Sequence, residues 1–170
     1  GYSFLIKNKT DIKKKFDEIT TKHNSANHHC YAYIIHPDKS TYRFHDDGEP
    51  ASTAGKQILR QIQKFELTNI LIIVVRYFGG VKLGIPGLIR SYQTAARLTL
   101  EGIDIIEQDI TEEYVLLFNY SELNNVMRLI KKYNLNIIQS DLKNDCKIKL
   151  LIPKKTSELI ISIFKKNHKL

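Results

Sequence analysis

The sequence predicts an α+β protein of two domains, and three observations carry that prediction. Segments with the two-residue period of strands and the three-to-four-residue period of helices alternate irregularly along the 170 residues. After "GIDIIEQDI" the pattern restarts as a second series of strand, helix, two strands and helix. Apolar residues make up 42% and charged residues 26%, enough apolar surface for two small cores. The boundary is expected at residue 110, giving domains 1–110 and 111–170.

The elements follow in order. "YSFLIKNK" alternates loosely and reads as a strand. "DIKKKFDEITTKHN" sets Ile12, Phe16 and Ile19 at helical spacing, with Thr10 or Asp11 as cap candidate. "HHCYAYIIH" and "TYRFHDDG" read as strands joined by the turn "PDKS". A helix over 53–66 carries the apolar stripe Ile58, Leu59, Ile62 and Phe65, with Ser52 or Thr53 as its cap. A strand over 69–78 follows, then a helix over 86–102 that begins at Pro86. In the second domain "EEYVLLFNY" is a strand and "SELNNVMRLIKKYN" a helix. Two strands turn at Asn144-Asp145, and a last helix starts near Pro153. This βαββα order is one strand short of a ferredoxin-like βαββαβ unit, which leaves a sheet edge open and suggests a shortened chain.

The longest aliphatic run, Ile70 to Val75, is far below the ~20 residues that span a bilayer. No membrane partner is expected. Cys30 and Cys146 stand alone, outside any metal-ligand or disulfide pattern, which fits a reducing cytoplasm. No metal or cofactor is expected.

A net charge of +8 points to an anionic partner, and its placement is informative. Residues 51–100 hold seven Lys or Arg against one acid, Glu66. Lys56, Arg60 and Lys64 fall at i, i+4 and i+8 on one helix, and Arg90 and Arg97 lie two turns apart on the next. Between these helices runs "RYFGGVKLGIPGLIRSY", with Arg76, Gly79, Gly80, Lys82, Gly84 and Gly87. Gly79 and Gly84 have the spacing of a Walker A loop, but Ile85 and Pro86 stand where its Lys and hydroxyl residue are needed. GxGxxG is also absent. An NTPase and a Rossmann enzyme are therefore excluded, while a strand running through glycines into a helix still suits phosphate. A plain strand-to-helix turn explains the glycines as well.

Strand parity puts Cys30, Ala32 and Ile34 on a core face and His29, Tyr31 and Tyr33 on the other. That second face reads either as an exposed aromatic surface for bases or as a half-buried sheet face. Asp46, Asp47 and Glu49 in "HDDGEP" read as a turn that caps the following helix, or with His29 as weak catalytic candidates.

Three segments in this order, "HHCYAY", "DDGEPASTAGK" and "VVRYFGGVKLGIPGLIRSY", resemble the IMPACT N-terminal domain family, which includes bacterial YigZ-type proteins. The match covers roughly residues 2 to 110. Its motif falls on His29, Asp46, Asp47, Gly48, Glu49, Pro50, Thr53, Ala54, Gly55 and Lys56. It continues on Arg76, Tyr77, Gly79, Gly80, Lys82, Leu83, Gly84, Gly87, Leu88 and Tyr92. The chain departs from it at Gln57 (usually Pro), at Ile85-Pro86 (commonly Thr-Gly) and at Ser91 (usually Ala). The resemblance implies a first domain with a mixed sheet and helices, like the second domain of ribosomal protein S five and the fourth of elongation factor G. It implies a ferredoxin-like second domain, similar to the fifth domain of that elongation factor. Relatives of these folds bind RNA or ribosomes, and eukaryotic members regulate translation under amino-acid starvation through a protein partner.

The expected function is nucleic-acid binding, to RNA or the ribosome, with a regulatory role in translation. Lys56, Arg60, Arg76, Lys82, Arg90 and Arg97 would contact phosphate around the loop of Gly79, Gly80, Gly84 and Gly87. Two alternatives stand beside it. One is an enzyme acting on a phosphorylated small molecule through Asp46, Asp47, Glu49 and His29; the other is a protein-interaction module of a translation or stress-response pathway.

Overall fold

A computed structural model of the protein describes residues 1–167. The chain forms two compact units that divide between Ile105 and Ile106. The first contains strands β1 (Tyr2–Leu5), β2 (His28–Ile35), β3 (Thr41–His45) and β4 (Ile70–Arg76), and helices α1 (Lys9–Lys22), α2 (Gly55–Lys64) and α3 (Gly84–Glu101). The second contains β5 (Thr111–Asn119), α4 (Leu123–Lys132), β6 (Asn136–Leu142), β7 (Asp145–Pro153) and α5 (Lys154–Asn167).

In the first unit the strands lie in the order β1-β4-β2-β3, and every neighbouring pair is antiparallel. The expectation of a mixed sheet is corrected here. β1 and β2 do run in the same direction, but β4 inserts between them and pairs with both. That position explains the composition of β4. Ile70, Ile72 and Val74 face α2 and α3, while Leu71, Ile73 and Val75 face α1. A strand covered on both faces must be apolar at every position, so it shows no alternation.

Neighbouring β2 follows the expected parity. Cys30, Ala32 and Ile34 pack under α2 and α3 with Ile58, Ile62, Leu88, Tyr92 and Ala96. Its other face is not the exposed aromatic surface that was one of the two readings. His29 and Tyr33 are buried there, Tyr33 in a core with Ile19 of α1, and Tyr31 alone is half-buried.

The starts of α1 and α3, like that of α2, differ from expectation. α1 is capped by Asn8, whose side chain accepts from the Asp11 amide at 2.9 Å, while Asp11 accepts from Lys7 N–H at 2.8 Å. This reciprocal arrangement satisfies two otherwise orphaned donors. α3 begins at Gly84, so Pro86 is its third residue rather than its first. The N–H that Pro86 lacks has no intrahelical acceptor at that position anyway.

In the second unit the order is β5-β7-β6, again antiparallel. Cys146, Ile148, Leu150 and Ile152 of β7 join Leu116 and Phe118 of β5 in one core with Val126, Ile130, Ile160 and Phe164 of the helices. The intervening Lys147 and Lys149 point away. A register shift between Ile137 and Gln139 interrupts β6, and all seven of its residues are exposed. The end of the sequence-predicted last helix, 168–170, lies outside the described residues.

Candidate functional site

The acidic knot folds into the first unit as a set of fixed contacts. Asp46 Oδ1 accepts from the amides of Ala54 (3.1 Å) and Gly55 (2.8 Å), and Oδ2 accepts from Ser52 N–H at 2.8 Å. One carboxylate therefore caps α2 from eight residues upstream, satisfying amides that the helix leaves free. Neither Ser52 nor Thr53 caps the helix as expected; the Thr53 hydroxyl donates to the Pro50 carbonyl at 2.7 Å. The cap brings the start of α2 against β3. A Cβ on Gly55 would stand 2.6 Å from the His45 carbonyl oxygen, so only glycine fits.

Asp47 Oδ2 accepts from the His29 amide at 2.6 Å, and its carbonyl oxygen meets His28 Nδ1 at 2.8 Å. His29 itself is buried, with Nε2 3.1 Å from the His23 carbonyl oxygen. Of the acids read with it as weak catalytic candidates, Asp47 brings Oδ2 to 3.9 Å from its Nδ1, and no contact joins its ring to Asp46 or Glu49 among the described residues.

Glu49 is the most deeply placed acid of the knot, with its side chain 3% exposed. Its Oε1 receives Arg76 Nη1 at 2.6 Å and the Tyr92 hydroxyl at 2.7 Å, and His28 Nε2 lies 3.8 Å away. Cys30 completes the cluster: its Sγ donates to the Asp46 carbonyl at 2.9 Å and lies 3.3 Å from the Tyr92 oxygen. Burial pushes the Cys30 thiol up to about 12, and burial likewise raises the Tyr92 phenol. Both groups stay protonated at neutral pH, and a thiol held so high is a poor nucleophile. Sequence reasoning placed Cys30 on a core face and Tyr92 in the family motif, with no polar role for either. The available signal was Tyr92 itself, because a buried phenol needs a polar partner.

This Glu49–Arg76–Tyr92 contact ties the turn before α2 to the end of β4 and the first half of α3. The glycine loop begins directly after Arg76. Gly80 and Gly84 adopt positive φ of 87° and 67°, which explains both. Gly79 has no such need, and an added Cβ there would meet nothing within 4 Å. Around the loop Lys82 and Arg90 are exposed, as are Lys56 and Arg60 on α2. Among the described residues no carboxylate pairs with any of these four, and α3 has no side-chain cap. Arg60 donates to Gln57 Oε1 at 3.2 Å, and Gln57 also binds the Ser52 carbonyl and Gln93. The buried Gln57, standing where the resemblance expects Pro, is thus fully used.

Two of the six expected phosphate contacts are engaged elsewhere. Arg76 points inward to Glu49, and Arg97 pairs with Glu101 Oε1 at 2.7 Å. The loop also exposes the apolar side chains of Tyr77, Phe78, Val81, Leu83 and Ile85, of which sequence reasoning did not single out Phe78 and Val81. A shallow cavity of ≈150 Å³ beside the loop is lined by Arg76, Ser91 and Tyr92. Among the described residues no three His, Cys, Asp or Glu side chains are placed to share a metal ion, and no helix is long and apolar enough to cross a membrane.

Fold and site together define a class: a two-unit α+β protein whose first unit carries a cationic glycine loop anchored by a buried carboxylate. Comparison with known proteins gives the family. The model of the Impact N-terminal domain matches residues 1–100. An IMPACT family member of Haemophilus influenzae is 35% identical over 157 residues, 89% of this chain and 75% of that protein. The IMPACT family member YigZ of Escherichia coli is 33% identical over 139 residues, covering 81% and 68%. Rabbit protein IMPACT shares 38% identity over 79 residues, 45% of this chain and 24% of its own. A crystal structure of a hypothetical protein superposes with a TM-score of 0.71 at 27% identity, covering 96% of this chain and 81% of that one. The chain belongs to the IMPACT family. Several residues on which the resemblance rests, Asp46, Glu49, Gly55, Arg76 and Tyr92, are those that build the buried lock.

Proposed function

We propose that this protein binds nucleic acid, as an RNA- or ribosome-associated cytoplasmic protein that regulates translation. The observation that carries this reading is the exposed loop 79–87, where Lys82 and Arg90, like Lys56 and Arg60 on α2, which packs against α3, have no acid partner among the described residues. Free amides at the start of α3 add to the positive field. Tyr77 and Phe78 offer exposed rings next to these charges, a pairing suited to bases and phosphates together. Arg76 then acts as an anchor for the loop, and Arg97, paired with Glu101 in the last turns of α3, takes no part in it. The order β5-β7-β6 with two helices in one core supports a ferredoxin-like second unit.

The acidic knot favours folding over catalysis. Asp46 and Asp47 are occupied by backbone amides, and Glu49 is neutralised by Arg76. The nucleic-acid reading is tested by titrating a mixed-sequence RNA and a DNA duplex across salt concentrations. Phosphate contacts position without specifying sequence, so both should bind with a steep salt dependence. Lys82→Glu with Arg90→Glu should weaken binding and reduce the logarithmic salt slope by roughly 1.4 for a single strand, two contacts' worth. Tight binding unaffected by these changes would remove the loop from consideration. Nuclease-sensitive co-sedimentation with ribosomes tests the proposed setting, and capture of a protein partner that survives nuclease would favour an interaction module instead.

A further inference from the structure

We infer a second ligand site in the first unit: the trough between α1 and β3 takes a nucleotide, its base against the half-buried Tyr31 and the exposed His45 and its phosphate against three cations. The site lies on the face of the sheet opposite α2 and α3, so it is separate from the glycine loop and does not rest on the reading above.

The trough arises because α1 does not cover the whole face. The core beneath α1 draws on β1, β2 and β4, with no residue from β3. By register Arg43 stands opposite Tyr33, and His45 opposite Tyr31, so all four side chains share this face. Arg43 and His45 are exposed. Between Arg43 and the helix is a cavity of ≈290 Å³ lined by Lys9, Ile12, Lys13, Phe16, Tyr31, Tyr33 and Arg43. That volume is near the lower end of small-ligand sites, about 300 Å³.

The lining has two components that one nucleotide would satisfy together. The first is planar. Tyr31 lies parallel to Tyr33, at 4° and 6.4 Å between ring centroids, and within 23° of His45 at 5.6 Å. Phe16 closes the helix side edge-on to Tyr31 at 5.2 Å. The second is charge. Lys9 and Lys13 follow one another at one helical turn, Arg43 faces them from the strand, and no carboxylate lines the cavity. None of these three cations has an acid partner among the described residues. His45 is also oriented. Its Nδ1 accepts the Asp47 amide at 3.2 Å, which leaves Nε2 as the donor of the neutral ring. An aromatic row alone suits any flat apolar ligand, and cations alone suit any anion. Their convergence selects a base that carries phosphate.

Such a group comes either as a free nucleotide or as one residue of a single strand, and the experiment separates the two. Adenosine monophosphate, a short single-stranded oligoadenylate and pyrophosphate are titrated at millimolar concentration into the ¹⁵N-labelled chain. Backbone amide shifts report where each binds. Saturable shifts at residues 9–16, 31 and 43–45 with the monophosphate identify a free-nucleotide site; shifts there with the oligonucleotide alone identify a strand site. Lys13→Glu with Arg43→Glu, both on exposed positions, should weaken binding roughly tenfold or more, and His45→Ala should weaken it with the fold intact. Lys82→Glu with Arg90→Glu should leave these shifts unchanged, which keeps failure here distinct from failure of the loop. The inference is overturned if pyrophosphate matches the nucleotide, if neither nucleotide form shifts these amides, or if charge reversal in the trough changes nothing.

Discussion

Arg76 and Glu49 meet at 2.6 Å in the interior of the first unit, although 27 residues separate them in the chain. One is the last residue of β4, and the other lies in the turn before α2. The Tyr92 hydroxyl shares the same carboxylate oxygen from α3. Three segments are therefore fixed by one buried oxygen.

Glu49→Gln should destabilise the first unit by about 2–4 kcal/mol, because it leaves the Arg76 guanidinium half-buried and without its counter-charge. Tyr92→Phe removes the hydrogen bond to Glu49 and the weak one from Cys30 but strands no charge, and should cost about 1–1.5 kcal/mol. The double variant should cost less than the sum, since both changes act on one oxygen. Urea unfolding of the three variants checks this; full additivity would mean the groups act independently.

Gly55→Ala should be severely destabilising, by about 3 kcal/mol or more, because its Cβ would overlap backbone atoms of His45 that cannot move aside. Gly79→Ala, with open space around it, should stay within about 0.5 kcal/mol of wild type. Comparison of thermal midpoints is sufficient. Equal effects at the two glycines would contradict the close approach of α2 to β3.

Stability should be lost in alkali through Cys30. Its thiol is raised from 9.0 to about 12, mainly by burial, so between these values the unfolded chain releases a proton that the folded one keeps. The contribution is complete below pH 9 and falls as pH rises above it, by about 1.4 kcal/mol per unit. Tyr92, also raised from its ordinary 10.0, adds to the fall at higher pH. Cys30→Ala should lower stability at neutral pH yet flatten the loss between pH 9 and 10, as read by urea midpoints across pH. An unchanged slope would place the sensitive group elsewhere.

Much of this architecture was legible in the sequence. The unbroken "ILIIVV" of β4 and the alternation in "HHCYAY" record how many faces of each strand are covered. The helix stripes through Ile58 and Ile62, and through Val126 and Ile130, record one buried side each. The site was legible only in outline. "DDGEP" suggested a cap, and Asp46 is one, yet the helix it caps starts two residues later than expected. Lys56, Arg60, Lys82 and Arg90 are exposed, whereas Arg76 and Arg97 are engaged with Glu49 and Glu101, a difference the sequence does not show.

The sequence by itself determined which residues enter the cores and where helices and strands alternate, because burial imprints a local period of two or of three to four. Tertiary structure decided the rest. Insertion of β4 between β1 and β2 made the sheet antiparallel, and the extent of α1 left Tyr31 half-buried beside β3. It also brought Glu49, Arg76 and Tyr92 together, from positions up to 43 residues apart. Contacts between single polar groups leave no period in a sequence, so only strand order and helix docking can show which charges are spent and which remain free to bind.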